Sequence, residues 1–115
     1  MILPWVRLDT NFPDNPKILR LIKNSGKGSG FTYLCSLAYS GRHQTDGLIP
    51  EAALPSIHAT KRDIKAIVEA GLWVKTDDGF LIPDWAEYQP TKATIEARSK
   101  INRENIKRRY SKGGN

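Results

Sequence analysis

The sequence has a single cysteine, Cys35, among its 115 residues. One thiol cannot form an internal disulfide and cannot build the thiolate cage of a structural zinc finger. Apolar runs are also short, because none approaches the ~20 residues that span a bilayer. Residues 1–5 lack the charged start and apolar run of a secretory signal. We therefore expect a cytoplasmic protein with no membrane contact, neither cross-linked by disulfides nor built around zinc.

Catalytic and nucleotide-binding motifs are missing as well. Residues 24–30 are rich in Gly, Lys and Ser, but they lack the two glycines five apart followed by Lys-Ser/Thr of a Walker loop. We interpret them as a flexible connection in which Ser29 caps the next helix, and Lys27 could still touch a phosphate. His43 and His58 have neither a second ligand at metal spacing nor a nucleophile beside them. We expect no enzymatic activity, no cofactor and no metal.

Positive charge is present in excess, and it lies at one end of the chain. Residues 1–91 contribute nothing to the formal net charge of +6, because their ten Lys and Arg are matched by ten Asp and Glu. Residues 92–115 hold eight Lys and Arg against only Glu96 and Glu104. Such a basic tail suggests attraction to a polyanion, most often nucleic acid, although solubility alone also explains a basic terminus.

The length of 115 residues and the hydrophobic content of 39% suit one small domain with a single core. We place that domain at residues 1–90 and a basic helical tail at residues 91–115. Good helix formers fill residues 91–110 with no Gly or Pro, and Thr91 is a suitable cap. The apolar residues of the tail do not hold a heptad, so we expect no stable coiled coil. From Ser111 onward the tail is expected to be disordered.

Two helices are predicted in the first half of the chain. Asn15 and Pro16 have the form of a helix start, with Asn as the cap and Pro at the first helical position. The predicted apolar face of this helix consists of Ile18, Leu19, Leu21 and Ile22. Apolar residues then cover most of a helix surface between Phe31 and Arg42, which is typical of a central helix packed on several sides. We assign Cys35 to that core.

Residues 60–71 combine a helix start with two distinct faces. Thr60 and Asp63 have the spacing of a capping box, so a helix should begin at Lys61 and stop near Gly71. Its core-facing stripe, at spacings of three and four, consists of Ile64, Ile67 and Val68. The cationic residues on an adjoining exposed sector are Lys61, Arg62 and Lys65. The helix therefore has one buried side and one basic side.

Short strand-like segments complete the predicted fold. Leu48–Pro50 is a very short strand, and a short helix follows at Glu51–Ile57. Leu72–Lys75 and Phe80–Ile82 are two further strands, joined by Thr76–Gly79, whose Asp-Gly pair is a hairpin signal. The order helix, strand, helix, helix, strand, turn, strand is that of a winged helix-turn-helix. The predicted fold class is therefore mainly α with a small antiparallel β-ribbon, carrying an extra N-terminal helix and a C-terminal basic helix.

Two further features bear on how such a domain would meet DNA. Trp85 and Tyr88 are three residues apart and share a helical face. We expect both to pack onto the domain rather than stack on bases, because rings that serve DNA are more usually flanked by basic residues. The predicted wing tip carries Asp77 and Asp78. Phosphate would repel these carboxylates, so we expect the wing to stay off the DNA.

Five short segments occur along the chain in a recognisable order. They are Trp5–Leu8 followed by Pro13, Pro16 and Lys17, then Asp46–Pro50, Ala70–Trp73, Asp78–Ile82 and Asp84–Pro90. Together they resemble the winged-helix N-terminal domains of phage and prophage replication-initiation or replisome-organiser proteins, over roughly residues 5–110. The resemblance implies a phage or prophage setting. It also implies DNA binding through the second helix of the helix-turn-helix, which maps onto Lys61, Arg62 and Lys65.

The basic helix and the basic tail together predict sequence-specific or semi-specific binding of double-stranded DNA by a phage or prophage replication or regulatory protein. The predicted contact residues are Thr60, Lys61, Arg62 and Lys65 in the helix and Arg98, Lys100, Arg103, Lys107, Arg108 and Arg109 in the tail. The alternative is a protein-interaction module that targets a host or replisome protein, since a fold does not determine a function. A homodimer is a further alternative, because the sequence contains no apolar stripe that would indicate the oligomeric state.

Overall fold

The computed structural model describes residues 5–113 of the chain, and the side chains of residues 5–107. Over this range the fold consists of five α-helices, two 3-10 helices and three short antiparallel strands. The α-helices are α1 (Pro16–Ser25), α2 (Lys27–His43), α3 (Lys61–Glu69), α4 (Trp85–Tyr88) and α5 (Lys92–Gly113). The strands are β1 (Leu48–Pro50), β2 (Val74–Thr76) and β3 (Gly79–Leu81), and the 3-10 helices are Phe12–Asp14 and Glu51–Ile57.

The element order confirms a helix-rich, winged-helix-like fold with an added helix at each end. The helix-turn-helix is formed by the 3-10 helix Glu51–Ile57 and by α3, so its first helix is a tighter coil than an α-helix. Pro55 lies inside this 3-10 segment and cannot donate a backbone hydrogen bond. The turn between the two helices places His58 in the left-handed region, with φ of 62°.

Helix α1 begins as predicted and buries a narrower face than predicted. The Asn15 side chain accepts the backbone N–H of Lys17 at 2.9 Å, and Pro16 occupies the first helical position. Ile18 is buried on this helix, whereas Leu19 is 55% exposed. The prediction that Leu19 belongs to the buried face is wrong, because it lies about 100° around the helix from Ile18, away from the neighbouring helices.

Helix α2 starts earlier than predicted, at Lys27, so the Gly, Lys and Ser segment is not a flexible connection. Only Gly26, with φ of 93°, separates α2 from α1. Ser29 lies inside the first turn and does not cap the helix. Its side chain is fully buried, where its hydroxyl donates to Asp63 Oδ1 at 2.6 Å. A hydrogen bond to α3 thus stabilises a segment whose composition alone suggests a loop.

The buried face of α2 contains more small polar residues than large apolar ones, and Leu37 is its buried apolar side chain. Its fully buried hydroxyl side chains, at spacings of three and four, are Ser29, Thr32, Ser36 and Ser40. Phe31 is consequently turned outward and is 56% exposed, and Cys35 is only partly buried at the margin of the core. A Cβ at Gly30 would lie 2.8 Å from Ile22 Cδ1 of α1, so the two helices pack closely there. The predicted assignment of Cys35 to the core is correct only in part.

The core lies where α1, α2 and α3 meet the three-stranded sheet. Trp73 is fully buried, its indole N–H donates to Ser36 Oγ at 3.3 Å, and its ring lies 5.3 Å from that of Phe80. In the sheet, β3 pairs with both other strands, so Phe80 lies opposite Ile49 and Lys75. Strands β2 and β3 are displaced from their predicted limits by about two residues and one residue respectively.

The C-terminal elements confirm one packing prediction and contradict another. Trp85 is buried in the core, but Tyr88 is 55% exposed, so its ring does not pack onto the domain as predicted. Both residues lie on α4, which has a single turn and presents only one of the two rings inward. Trp5, at the opposite end of the described chain, is also exposed.

Helix α5 leaves the domain as a long extension. Thr91 Oγ1 accepts the N–H of Thr94 at 3.1 Å, which confirms Thr91 as the cap, and Ile95 is only 3% exposed. From Ile101 to Lys107 every side chain is exposed, and the molecule measures 65 × 30 × 19 Å. The helix continues to Gly113, through part of the segment expected to be disordered, while residues 114 and 115 lie outside the described range.

Candidate nucleic-acid interface

The N-terminus of α3 is held by a reciprocal capping box, as predicted. Thr60 Oγ1 accepts the N–H of Asp63 at 3.1 Å, and Asp63 Oδ2 accepts the N–H of Thr60 at 3.0 Å. The Thr60 hydroxyl also donates to Asp63 Oδ2 at 2.8 Å. These bonds satisfy backbone donors that a helix start otherwise leaves without partners. They fix the direction in which α3 leaves the turn.

A second contact joins this helix start to the start of α2. Ser29 Oγ donates to Asp63 Oδ1 at 2.6 Å, and the hydroxyls of Ser29 and Ser25 lie 2.6 Å apart. Burial raises the pKa of Asp63, but hydrogen bonds from Ser29 and Thr60 and the charge of Arg62 lower it further, so the net shift is downward. The carboxylate is therefore ionised and turned toward the protein, with both oxygens occupied.

The cationic side chains of α3 have no such partners. We call Lys61, Arg62 and Lys65 the α3 cluster; all three are exposed, as predicted. Among the side chains that the structure describes, the only ion pair joins Lys75 to Glu51, at 2.8 Å. None of the three cations of the α3 cluster forms an ion pair among the described residues, although the charge of Arg62 acts on the nearby Asp63 carboxylate. Thr60 is exposed beside them, although its hydroxyl is engaged in the capping box.

Three further exposed side chains lie near the start of α3: Lys27, Phe31 and His58. Only Lys27 among them was proposed from the sequence as a phosphate contact. Lys27 is exposed at the first position of α2, next to the Ser29 contact with α3. Phe31 and His58 are both exposed, and their rings stack with centroids 5.9 Å apart and planes at 27°. Apolar periodicity places Phe31 at the start of a helix packed on several sides, where its ring would be covered. The spacing of the small residues on α2 is the signal that places its ring outside.

The tail cations form a second basic surface, separate from the first. Arg98, Lys100, Arg103 and Lys107 are exposed on α5, and we call these four the tail cations. Arg108 and Arg109 lie on the same helix, but their side chains fall outside the described residues. No hydrogen bond or ion pair within the described chain joins α5 to α3. The structure therefore does not bring the two predicted halves of the site into contact.

One bond between side chain and backbone sets where the tail starts. Asp46 Oδ1 accepts the N–H of Lys92, the first residue of α5, at 2.8 Å. Asp46 lies in the turn before β1 and adopts φ of 53°. Together with buried Ile95, this bond connects the basic helix to the folded body.

The wing has the opposite charge, as the sequence indicates. Asp77 and Asp78 are exposed in the turn between β2 and β3. Lys75, the cation on β2, is engaged by Glu51 and lies 5.0 Å from the centroid of the Phe80 ring. The hydrogen bond from Lys75 lowers the pKa of Glu51. The exposed surface of the wing is therefore acidic, because its two carboxylates are exposed and its one lysine is paired with Glu51.

An apolar groove lies near the other end of α3, close to Gly71. It has a volume of about 470 Å³. Its apolar lining includes Leu8, Phe12, Ile18, Tyr33, Leu72 and Tyr88, and its acidic lining is Asp9, Asp84 and Glu87. Burial raises the pKa of Tyr33 in this wall. Gln89 holds one edge of the groove, because its side chain accepts from Arg7 N–H at 2.9 Å and donates to Arg7 O at 2.6 Å.

The two histidines belong to aromatic pairs. The His43 ring lies 4.4 Å from that of Tyr39, and His58 stacks on Phe31. Within residues 5–113, no three His, Cys, Asp or Glu side chains come together in a way that could hold a metal ion. In the same range, no helix is long and apolar enough to cross a membrane. Comparisons with protein-family models, curated proteins and solved structures found no match for this chain.

Proposed function

We propose that this chain binds double-stranded DNA, without catalysing a reaction, by placing the N-terminal half of α3 in the major groove. The observation that carries the proposal is the α3 cluster, whose three cations are exposed and form no ion pair among the described residues, on a helix whose other side is buried. In helix-turn-helix proteins the second helix enters the major groove with its N-terminal residues at the base edges. Asp63, the acid at that end, is turned inward and saturated with hydrogen bonds.

Each cation of the α3 cluster has a distinct chemical capacity. Arg62 has the planar guanidinium that can donate two parallel hydrogen bonds to the O6 and N7 atoms of guanine. Lys61 and Lys65 are compact charges that suit phosphate oxygens or single base acceptors. Lys27 adds a fourth charge at the edge of the same surface. This distribution supports sequence-specific or semi-specific readout rather than purely electrostatic attachment.

The remaining binding energy is assigned to the tail cations and not to the wing. A basic helix extending from the body can follow the phosphate backbone, which supplies affinity without reading sequence. The wing, with its exposed Asp77 and Asp78, stays clear of the phosphates. The resemblance to replication-initiation domains supports a phage or prophage replication or regulatory protein as the setting.

A salt titration of duplex binding tests the proposal. Affinity should fall steeply as salt rises, because every neutralised phosphate releases counterions. Selection from random duplex DNA should then enrich a motif, and a palindromic motif would indicate a two-fold dimer. Duplex affinity that ignores salt, together with a selection that enriches nothing, would contradict the proposal.

The second candidate function is a protein-interaction module for a host or replisome protein. The groove beside Gly71 favours it, because it combines apolar walls with exposed Leu8 and Tyr88 at its edge. Under this alternative the basic tail serves solubility or an acidic partner. The selection from random duplex DNA separates the two candidates, since this module would show only the sequence-independent, salt-sensitive binding that its basic tail causes and would enrich no motif.

A further inference from the structure

An exposed aromatic pair lies directly beside the start of α3. Phe31, on the second turn of α2, is 56% exposed, and its ring stacks on the exposed His58 ring at 5.9 Å. His58 comes two residues before the helix cap Thr60. Lys27 lies one helical turn before Phe31, on the same side of α2. The pair therefore lies near the start of α3 through His58 and near the cation at the start of α2 through Phe31.

The internal packing of the domain does not account for this pair. The face of α2 that meets the core contains the stripe of small hydroxyl residues and Leu37, and Phe31 lies off that face. A Cβ at Gly28 would meet no atom within 4 Å, so the surface beside the ring is open. More than half of a large apolar ring thus faces solvent where the chain otherwise presents charge.

The backbone under His58 is held firmly in position. Its N–H bonds to the carbonyl groups at the end of the 3-10 helix, and its own carbonyl accepts from Thr32 Oγ1 at 3.3 Å. With φ of 62°, this backbone conformation is uncommon for a residue other than glycine. These contacts hold the imidazole against one side of the Phe31 ring and leave the remainder of that ring uncovered.

The structure of duplex DNA limits which groups the Phe31 ring can contact. Within a duplex the faces of the bases are stacked, so an aromatic ring cannot stack on them. The major groove offers one apolar feature, the C5-methyl group of thymine, and Phe is among the side chains that contact it. A ring adjacent to the N-terminus of a groove-reading helix is placed for that contact.

Resting on the proposed DNA-binding function, we infer that Phe31, supported by His58, contacts thymine methyl groups in the major groove next to the bases that the α3 cluster meets. The contact adds a preference for A·T pairs at that position. Arg62 and the lysines read hydrogen-bonding groups and phosphates, whereas Phe31 reads an apolar one. The two kinds of readout are therefore separable by experiment.

The test uses the duplex enriched by selection from random DNA, synthesised once with thymine and once with deoxyuridine, which lacks the methyl group. The full chain should bind the thymine duplex about fourfold more tightly for each methyl contacted, the factor expected from burying one methyl-sized group. Phe31→Ala should bind both duplexes equally, near the affinity of wild type for the deoxyuridine duplex. Phe31→Leu should retain part of the thymine preference.

Tyr88→Ala is the matched control, because Tyr88 is 55% exposed but lies in the groove near the other end of α3. This variant should keep the full preference for thymine. A wild-type chain that binds both duplexes equally, or a Phe31→Ala variant that keeps the preference, overturns the inference and leaves the proposed function standing. A Phe31→Ala defect seen only with single-stranded DNA also overturns it, since the ring would then stack on unpaired bases. A selection that enriches nothing, together with duplex affinity that ignores salt, instead contradicts the proposed function itself.

Discussion

Asp63 is the residue on which both the stability and the charge of the α3 surface depend. It is the only carboxylate in the first turn of α3, where it accepts hydrogen bonds from Thr60 and Ser29. A negative charge near a helix N-terminus is favourable for the helix, but a free carboxylate there would oppose a polyanion. Hydrogen bonds from within the protein occupy both of its oxygens, and the neighbouring Arg62 offsets its negative charge at the surface.

Substitution of Asp63 should change the acid limb of the stability curve. Its pKa is lower in the folded protein than the usual value of 3.8, so its contribution is present above that value and is lost as pH falls through the folded pKa. Asp63→Asn should therefore flatten the decline in the free energy of unfolding below about pH 4. At neutral pH it should cost about 0.5–2 kcal/mol through the weakened cap.

Urea unfolding monitored by circular dichroism across the pH range provides the measurement. Asp78→Asn is the control, because Asp78 is exposed on the wing and makes no side-chain hydrogen bond among the described residues. It should leave both the neutral and the acid stability near wild type. An Asp63→Asn curve parallel to wild type at every pH would show that the carboxylate contributes nothing through its ionisation.

Arg62 is the residue expected to contribute most to base readout. Arg62→Ala should weaken binding to a selected duplex by about 1–3 kcal/mol if it makes a bidentate contact, with an unchanged circular dichroism spectrum. Lys65→Ala should weaken binding to every duplex sequence about equally, because a phosphate contact does not depend on the base sequence. Arg42→Ala is the control, since Arg42 is exposed near the far end of α2, about 22 Å along the helix axis from Lys27. Equal losses of DNA affinity in Arg62→Ala and Arg42→Ala would show that α3 is not the helix that contacts the bases.

Among the elements, α5 is connected to the body through its first turn, and that connection is open to test. Asp46→Gly removes the carboxylate that accepts the N–H of Lys92, and glycine tolerates the left-handed backbone at this position. The Lys92 amide should then exchange with solvent about tenfold faster, the factor for a charge-assisted hydrogen bond worth ~1.4 kcal/mol. Hydrogen exchange followed by NMR measures it.

The chain offers a closely matched control for this substitution. Asp84 also has a left-handed backbone, with φ of 61°, and precedes a helix, yet its side chain makes no capping bond. Asp84→Gly should leave the exchange of the Lys92 amide unchanged. Protection of that amide in Asp46→Gly equal to wild type would mean that Ile95 alone fixes the start of α5.

The elements also differ in how far local sequence determined them. Helix α3 could be predicted almost to the residue, because its cap, its reciprocal acid and its apolar stripe all lie within one short segment. The start of α2 could not, since Gly and Ser are weak helix formers and the stabilising bond from Ser29 reaches Asp63, 34 residues away. The limits of β3 follow its pairing with β1, also remote in sequence, and those of β2 follow its pairing with β3.

The candidate site divides along the same line. The α3 cluster followed from helical spacing alone, whereas Phe31 was misassigned because hydrophobic periodicity counts only apolar residues. The fully buried side chains of α2 are those of Ser and Thr. The burial of Ile95 depends on where α5 leaves the folded domain, and the local sequence around Ile95 does not predict that position. The capping of α5 by Asp46 is likewise a contact across 46 residues.

At the scale of the whole molecule, charge and shape are distributed unequally. Through residue 91 the chain is formally neutral, and the excess of +6 lies on the residues that follow, most of them on the extended α5. The body thus carries the candidate for sequence readout, and the extension carries most of the electrostatic attraction. Affinity and specificity should therefore respond to different parts of the chain.

Deleting residues 97–115 tests this division while retaining buried Ile95. The deletion removes seven Lys and Arg and one Glu, which is the whole net charge of +6. The slope of log affinity against log salt should become shallower by about 0.9 for each phosphate that the shortened chain no longer neutralises. The ranking of duplexes by affinity should persist, because the α3 cluster remains.

A full-length variant with the four tail cations changed to Gln separates charge from chain length. If the tail acts by neutralising phosphates, this variant should reproduce most of the decrease in salt slope, since all four side chains are exposed and their helix is otherwise retained. If the truncated chain binds with the same slope as the full chain, the tail does not contact phosphate. The electrostatic attraction would then have to come from the neutral body, through the few unpaired cations on and near α3. The slope of log affinity against log salt, divided by about 0.9, would give the number of phosphates that these cations neutralise.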